Sequence, residues 1–286
     1  MDAVHGFLLE ELDIRGALVQ LGPTWAAIAG RRQYAAPVRD LLGELAAVTA
    51  LIGSNLKTPG RLSFQLQGHG PVSMLVMDCN EKLQLRGMAK SQLAAEAEAH
   101  IAGVGELLGD GQLVLTLQPQ SAQKPYQSVV PLTGSSVAAI FEHFLEQSEQ
   151  TPARLWLAAT ADSACGLFLQ KLPNADILDP DGWDRIEALA GTVRPEELAL
   201  PPEILLTRLF AEETVRLYPP RAAAWHCPRD EEKVRNMLLS LGREEVEAML
   251  ADAEAIAIED EICGHEYRFG PEIVDELFPP DGRLLH

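Results

Sequence analysis

The sequence predicts an α+β fold: a main domain of largely antiparallel sheets with helices, a helical linker, and a small C-terminal module. The first observation is that segments of alternating hydrophobicity occur in clumps with hairpin-length connections, and do not alternate one by one with helices. The second is that prolines break residues 173–202, before an acidic C-terminal region with its own helix and hairpin patterns. We therefore predict three parts, at 1–172, 173–221 and 222–286.

The main domain contains one long predicted helix, over 34–56, because apolar residues from Val38 to Leu56 recur at three- and four-residue spacing. Pro59-Gly60 ends this helix, and the alternation over 62–66 predicts the first strand of a meander. The other predicted elements are strands over 72–77, 83–88, 113–117 and 127–130, a helix over 135–147, and strands over 154–160 and 166–170.

The linker is predicted to consist of short helical pieces, with one around 183–190, followed by a better helix over 203–218 that Pro219-Pro220 stops. One face of that helix is apolar and comprises Leu205, Leu206, Leu209, Phe210 and Leu217. Two interpretations stay open. The helix is an ordinary element packed on the main domain, or it is a docking element that lifts off and exposes its apolar face.

The C-terminal module is predicted to contain helices over 231–241 and 243–250, with Gly242 between them as a helix stop. A strand over 255–260 then alternates, and Tyr267 and Phe269 lie on the returning strand. Cys263-Gly264 forms the turn. A hairpin with such a knuckle is a common way to present metal-binding thiolates.

The charge and the termini restrict the partners and the compartment. The net charge is −19, and residues 222–286, with 16 acidic and 6 basic side chains, carry −10 of it. This field repels phosphate backbones, so we expect no nucleic-acid partner. The start of the sequence has no basic and apolar signal pattern, and no run approaches the roughly 18 apolar residues of a membrane span. We therefore expect a cytoplasmic protein without a membrane partner. Cysteines are kept reduced in the cytoplasm, and we expect Cys79 and Cys165 to be buried core thiols.

Several motifs stand in the order found in one family. They include Arg15-Gly16, Gln65-Leu66-Gln67-Gly68, GLFLQKLP over 166–173 and LLTRLFAE over 205–212. On these motifs the chain resembles, over nearly its whole length, the redox-regulated holdase chaperones of the heat-shock protein 33 family. The resemblance implies a dimeric stress-response chaperone that binds unfolding client proteins without ATP. The sequence agrees in having no Gly-x-x-x-x-Gly-Lys-[Ser/Thr] phosphate loop.

The resemblance also implies a zinc module with four thiolates, arranged as Cys-x-Cys and Cys-x-x-Cys, that oxidants convert to disulfides. This chain departs from that pattern at two of the four positions. Cys227 stands at the first position and Cys263 at the last, whereas Arg229 takes the second and Asp260 the third. A guanidinium carries no lone pair for zinc, so the four-thiolate site is incomplete.

Three states of this site are open from the sequence. In the first, Asp260 with His226 or His265 completes a mixed zinc site with Cys227 and Cys263. In the second, the two cysteines form a reversible disulfide that stabilises by roughly 4 kcal/mol. In the third, both remain thiols and the module folds by packing alone. A four-thiolate zinc site contributes roughly 10–16 kcal/mol, so we expect a module that depends less on metal, with altered or lost redox control and no assured cofactor.

The functional prediction is an ATP-independent holdase, not an enzyme, without catalytic residues. Its candidate client-binding residues are Leu205, Leu206, Leu209 and Phe210, and its candidate redox pair is Cys227 and Cys263. Two alternatives stay open. The first is a thiol oxidoreductase that uses the same cysteines, although the acidic neighbours Asp260 and Glu261 disfavour a reactive thiolate at Cys263. The second is a non-switching interaction protein on the same fold.

Overall fold

The computed structural model describes residues 2–56, 59–95, 103–121, 124–251 and 253–279. The chain divides into two compact units, Met1–His226 and Cys227–His286. The segment 173–221 belongs to the first unit, so its role as a separable linker stays a prediction. Residues 280–286 of the predicted C-terminal module lie outside the described residues.

The described strands of the first unit are β1 (Ala3–Leu9), β2 (Ile14–Leu21), β3 (Gly60–Gly68), β4 (Val72–Asn80), β5 (Gln84–Ser91), β6 (Gly111–Pro119), β7 (Tyr126–Pro131), β8 (Ala153–Ala159), β9 (Ala164–Lys171), β10 (Val215–Leu217), β11 (Arg221–Ala222) and β12 (Ala224–Trp225). The helices of this unit are α1 (Pro23–Ala29), α2 (Ala36–Gly53), α3 (Val104–Leu108), α4 (Val137–Glu149), α5 (Ala175–Leu178), α6 (Gly182–Ala190) and α7 (Pro202–Leu209), with a 3₁₀ helix at Pro195–Ala199. The second unit contains α8 (Glu231–Leu241), α9 (Arg243–Ala251), β13 (Ile256–Glu259), β14 (Glu266–Phe269) and α10 (Glu272–Leu277).

The strands of the first unit form two sheets. The first sheet has the order β10-β1-β2-β9-β8, with β11 also paired to β1, and all of these pairs are antiparallel. The second sheet has the order β12-β5-β4-β3-β6-β7, and among its described strands only the β12–β5 pair is parallel. The predicted α+β class with largely antiparallel sheets is therefore confirmed, together with the predicted meander.

The long helix α2 lies between the two sheets, in contact with β4 and β5 on one side and with β8 and β9 on the other. Its side chains Leu42, Leu45, Val48 and Leu51 are all fully buried. A helix that is apolar around most of its circumference is stable only when it is covered on more than one side. The inward-facing residues of both sheets pack with α2 into one core.

The outer face of the first sheet, which points away from α2, carries a second core. Phe7, Leu9, Ile14, Leu18, Leu167 and Leu169 form this face, and residues of α5, α6, the 3₁₀ helix and α7 cover it. The side-chain amide of Gln20 donates hydrogen bonds to the carbonyls of Leu198 (2.9 Å) and Leu200 (2.6 Å). The linker helices are thus attached to the sheet by apolar packing and by two side-chain hydrogen bonds.

The single helix predicted over 203–218 is wrong in its second half. Helix α7 ends at Leu209, and Val215–Leu217 forms strand β10, in which Leu217 pairs with Phe7. Leu217 therefore does not lie on the apolar face of a helix. Phe210 leaves the helical conformation and its ring lies 6.2 Å from that of Phe7. The edge of β1 supplies hydrogen-bond partners to this segment, in which Thr214 and Val215 are β-branched, and this pairing outweighs its helical spacing.

Gly16 in β2 is required by the close approach of Phe7, because a Cβ at this position would overlap the Phe7 ring. We expect Gly16→Ala to lower the free energy of unfolding by about 1–3 kcal/mol, measured by urea denaturation. Gly105→Ala is the matched control, since nothing lies within 4 Å of a Cβ there, and alanine favours its helix. Equal stabilities for the two variants would contradict the packing argument.

Glu44 of α2 gives the first unit a pH dependence. Burial raises the pKa of Glu44 to about 7, and the charge of Asp40 adds to this shift. A carboxyl whose folded pKa lies above its unfolded value of about 4.3 costs stability as the pH rises between those values. We expect Glu44→Gln to be more stable than the unaltered chain by about 1–3 kcal/mol at pH 8, with a smaller difference at pH 5.5. The exposed control Glu212→Gln should show no such trend in urea denaturation.

Candidate redox site

The second unit has a small core of its own. It consists of Leu238, Val246, Ile256, Tyr267, Phe269, Ile273 and Val274. Asp230 caps α8 by accepting a hydrogen bond from the Lys233 amide at 3.0 Å, and Gly242 ends the helix with a φ of 91°. The predicted pair of helices and the predicted hairpin are both confirmed.

The knuckle between β13 and β14 is organised by the Asp260 carboxylate. Its Oδ1 accepts hydrogen bonds from the amides of Ile262 (2.9 Å) and Cys263 (3.1 Å). The Gly264 amide donates to the Asp260 carbonyl at 2.6 Å, and Gly264 has a φ of 63°, in the left-handed region that favours glycine. Asp260 therefore serves as the acceptor that holds the turn around Cys263.

The sulfurs of Cys227 and Cys263 lie within disulfide-bonding distance. Their Cα atoms are 6.1 Å apart, inside the usual range for a bridge, and 36 positions separate them in sequence. Cys227 is 7% exposed and Cys263 is 1% exposed. The pair thus joins the first residue of the second unit to the hairpin knuckle.

Three further contacts join the same two segments. The His265 Nε2–H donates to the Cys227 carbonyl at 2.8 Å, and the Asp230 amide donates to the Tyr267 hydroxyl at 2.9 Å. The Arg229 guanidinium lies 5.8 Å from the centroid of the Tyr267 ring, within cation–π range. Arg229 stands at the position of the second cysteine in the family pattern. In this chain, that position contacts the hairpin through the Tyr267 ring. The sequence placed Tyr267 on a strand but carried no signal for these contacts.

Within the described residues, the donor atoms of Cys227, Cys263 and His265 lie within 4.8 Å of one another. Neither His226 nor Asp260 belongs to this group. His226 is exposed at the end of the first unit, and the Asp260 carboxylate accepts turn amides. Two thiolates and one imidazole do not fit the four-thiolate zinc site that the family resemblance implies.

The remaining two cysteines are core thiols, as predicted. Cys79 and Cys165 are buried and form no disulfide. Burial raises the pKa of Cys79 to about 12, and burial also raises the pKa of Cys165. Neither is suited to act as a thiolate at neutral pH.

All four candidate client-binding side chains are buried in the first unit. Leu205, Leu206, Leu209 and Phe210 are between 1% and 8% exposed, and they pack on the outer face of the first sheet. That sheet face is itself apolar and was missed by the sequence reasoning, although the alternation in β1 and β2 carries its signal. Removing α7 would uncover two apolar surfaces, one on the helix and one on the sheet.

Helix α7 covers the outer face of the first sheet, and we call it the cover. Short strands after α7 hold it in place. Strands β10 and β11 pair with β1, and β12 pairs with β5. The Arg221 guanidinium also donates to the carbonyls of Ser54 and Glu81, the latter at 2.8 Å. Cys227 follows β12 after one residue, so the candidate redox site begins where this series of short pairings ends in sequence.

The fold and the site together define a two-unit α+β protein with a covered apolar sheet face and a thiol pair that closes the C-terminal unit. Within the described part of the chain, no helix combines the length and apolarity that a membrane crossing requires.

The Hsp33 protein family matches residues 2–270. The 33 kDa chaperonin of Methylobacillus flagellatus is 38% identical over 280 residues, which cover 97% of this chain and 94% of that protein. The 33 kDa chaperonin of Vibrio cholerae is 36% identical over 293 residues, with coverage of 99% and 98%. The crystal structure of the 33 kDa chaperonin from Thermotoga maritima, a heat shock protein 33 homologue, matches the fold with a TM-score of 0.80 at 20% identity, over 96% of this chain and 97% of that one.

The chain belongs to the Hsp33 family, so the resemblance predicted from its motifs is confirmed. This is a family of redox-regulated stress-response chaperones, and the function of this chain is that of a chaperone.

The Cys227–Cys263 pair leads to a prediction about the second unit. A bridge across 36 positions stabilises by roughly 4 kcal/mol on the chain-entropy account. We therefore expect dithiothreitol to reduce the hydrogen-exchange protection of the β13–β14 amides by a large factor, measured by NMR.

The double variant Cys227→Ser/Cys263→Ser should match the reduced protein and should not respond to dithiothreitol. It keeps Cys79 and Cys165, so any response that persists in it comes from those thiols. Unchanged protection in the reduced, unaltered chain would exclude a stabilising bridge.

Proposed function

We propose that this chaperone is an ATP-independent holdase whose client-binding surface is the apolar face of α7 together with the sheet face beneath it. The observation that carries the proposal is the burial of Leu205, Leu206, Leu209 and Phe210 against an equally apolar sheet face. Unfolding proteins expose apolar side chains, which such surfaces bind by the hydrophobic effect. The absence of a phosphate-loop motif from the sequence supports the ATP-independent mode.

The energy of the cover limits how it opens. Full burial of one such side chain contributes about 1.5–3 kcal/mol, so the four contribute roughly 6–12 kcal/mol. Loss of the Cys227–Cys263 bridge removes only roughly 4 kcal/mol. The free energy that is lost when this bridge is reduced is therefore too small to release α7 by itself. We infer that release needs a second stress, such as heat, and that a client replaces part of the lost apolar contact.

The proposed redox control differs from the mode that the family resemblance implies. There, oxidation removes zinc and unfolds the module. Here the bonded pair closes the second unit, and the donor set of Cys227, Cys263 and His265 does not form a four-thiolate site. We therefore propose that reduction, and not oxidation, loosens this unit, and that the redox response is weaker than that of a zinc switch.

The thiol oxidoreductase alternative is less well supported. Cys263 is 1% exposed and Cys227 is 7% exposed, whereas a reactive thiol needs access to its substrate. We propose that the protein has no catalytic residue and acts on unfolded clients in the cytoplasm, with a second copy of the chain as a further partner. Its net charge of −19 opposes binding to nucleic acid.

The test is suppression of the aggregation of a heat-unfolded reporter enzyme, followed by light scattering. The oxidised chain, the reduced chain and the Cys227→Ser/Cys263→Ser variant are compared at 25 °C and at a temperature that loosens the first unit. We expect the strongest suppression from the reduced chain and the variant at the higher temperature. Hydrogen exchange of residues 202–210 should rise in the same samples, because the cover is then displaced.

Each other outcome has a definite meaning. Equal suppression in all samples would support a constitutive holdase and would reject the redox proposal. Activation by peroxide alone would reject the proposal that reduction, and not oxidation, loosens the second unit. The absence of suppression in every sample, with unchanged exchange over 202–210, would reject the holdase and favour a non-switching interaction protein. One tightly held zinc per reduced chain would overturn the metal-free account of the second unit.

A further inference from the structure

A groove of about 310 Å³ lies between α7 and β10, the strand at one end of the first sheet. Its floor is apolar, with Leu206 and Phe210 on the side of α7 and Val215 and Leu217 on the side of β10. The other residues that line it are Glu203, Thr207, Ala211 and Glu213. The groove exists while α7 is in place, so it differs from the surface that release of α7 would uncover.

The open side of β10 offers backbone hydrogen-bonding groups. Among the described strands, β10 pairs with β1 alone. The Tyr218 amide donates to the Gly6 carbonyl of β1 at 2.9 Å. Backbone groups of successive residues in a strand point to opposite sides, so those of Val215 and Leu217 point away from β1. Two amides and two carbonyls are therefore directed to the open side, where a further strand can pair.

The groove is acidic. Of the described residues that line it, the charged ones are Glu203 and Glu213. Arg185 donates to the Glu213 carboxylate at 3.0 Å and to the Asp179 carboxylate at 2.9 Å, so one guanidinium serves two carboxylates and one negative charge is in excess. Glu203 interacts electrostatically with His5, but burial lowers the pKa of His5, so its ring is largely neutral at pH 7.

The arginines on the two walls do not cancel this charge. Arg208 of α7 is paired with Glu197 at 3.4 Å, and Arg216 of β10 is paired with Glu10. Arg216 also lies on the opposite face of the strand from its two groove-lining neighbours. A second copy of this chain would bring the same carboxylates to the edge, and like charges disfavour that pairing. The charge of the groove therefore favours a segment with basic side chains.

We propose that this groove binds an extended segment of an unfolding protein, which adds to β10 as a further strand and places basic side chains at Glu203 and Glu213. Its apolar side chains would lie on the groove floor. In this mode of recognition the backbone pairing supplies affinity, and alternate side chains supply specificity. The proposal rests on the holdase function for the identity of the partner, and it assigns the class of client segment that the chain recognises while α7 is in place.

The experiment is fluorescence anisotropy of a labelled peptide with the full, oxidised chain at 25 °C, under conditions in which hydrogen exchange of residues 202–210 shows that α7 is in place. The peptide alternates threonine and valine, carries a lysine at each end and has blocked termini. We expect it to bind at one site per chain. The same peptide with glutamate ends should bind about tenfold more weakly, because two attractive pairs are replaced by two repulsive ones.

Peptides with methylated amides test the addition of a strand. Alternate amides of a strand point to one side, so only one set of the peptide's amides can face β10. N-methylation of all the threonine amides, or of all the valine amides, gives two modified peptides. One of them should lose binding and the other should keep it, whereas a peptide bound through its side chains alone would respond alike to both changes.

Two matched pairs of variants locate the site. Glu203→Lys should weaken binding of the lysine-ended peptide severalfold and strengthen binding of the glutamate-ended one. Glu212→Lys makes the same charge change at an exposed position outside the groove and should alter neither. Val215→Pro removes an amide that points away from β1 and should weaken binding of both peptides. Val215→Ala keeps that amide and should weaken it less.

The proposal is overturned if the lysine-ended and glutamate-ended peptides bind equally, or if Glu203→Lys leaves the preference unchanged. It is also overturned if both methylated peptides bind like the unmodified one, and this comparison decides if Val215→Pro fails to fold. A dimer of the unaltered chain that Val215→Pro separates in sedimentation would overturn it as well, since a second copy would then occupy the edge.

Failure of this proposal and failure of the holdase are distinguishable, because peptide binding is measured without aggregation. Loss of peptide binding with retained suppression of aggregation would reject the groove and leave the holdase. Retained peptide binding without suppression of aggregation would support the groove and reject the holdase.

Discussion

The enclosure of α2 between two sheets is the constraint on which the rest of this structure depends. Because Leu42, Leu45, Val48 and Leu51 are fully buried, each sheet must turn one apolar face toward this helix. The first sheet is apolar on its other face as well, and that face needs a cover. The linker helices supply it, and their attachment is therefore a consequence of the sequence of β1, β2 and β9 and not an optional feature.

The proposed holdase function requires an apolar surface that is covered in the folded protein. The apolar surface is present in the folded protein, but α7 and the short strands that follow it keep it covered. The strands are only two or three residues long, so each pairing contributes few hydrogen bonds. The apolar contacts of α7 supply most of the resistance to opening, and heat opposes this resistance through the conformational entropy that opening releases.

Several contacts join the two segments of the second unit at which the family resemblance implies a metal centre. The same two segments are joined by the Cys227–Cys263 pair, the His265–Cys227 and Asp230–Tyr267 hydrogen bonds and the Arg229–Tyr267 cation–π contact. Together they contribute less than the roughly 10–16 kcal/mol of a four-thiolate zinc site. Since a hydrogen bond contributes about 1 kcal/mol, the thiol pair is the largest of these polar and covalent contributions.

The sequence by itself determined the α+β class, the long helix, the meander and the module with two cysteines, because these follow from periodicity and from residue type, which are local properties. The tertiary structure decided the rest. The segment at 215–217 has helical spacing, yet it pairs with β1 because that strand has an open edge. Arg229 and Asp260 were identified as departures from a zinc motif, but only the fold gives them partners, an aromatic ring and two turn amides.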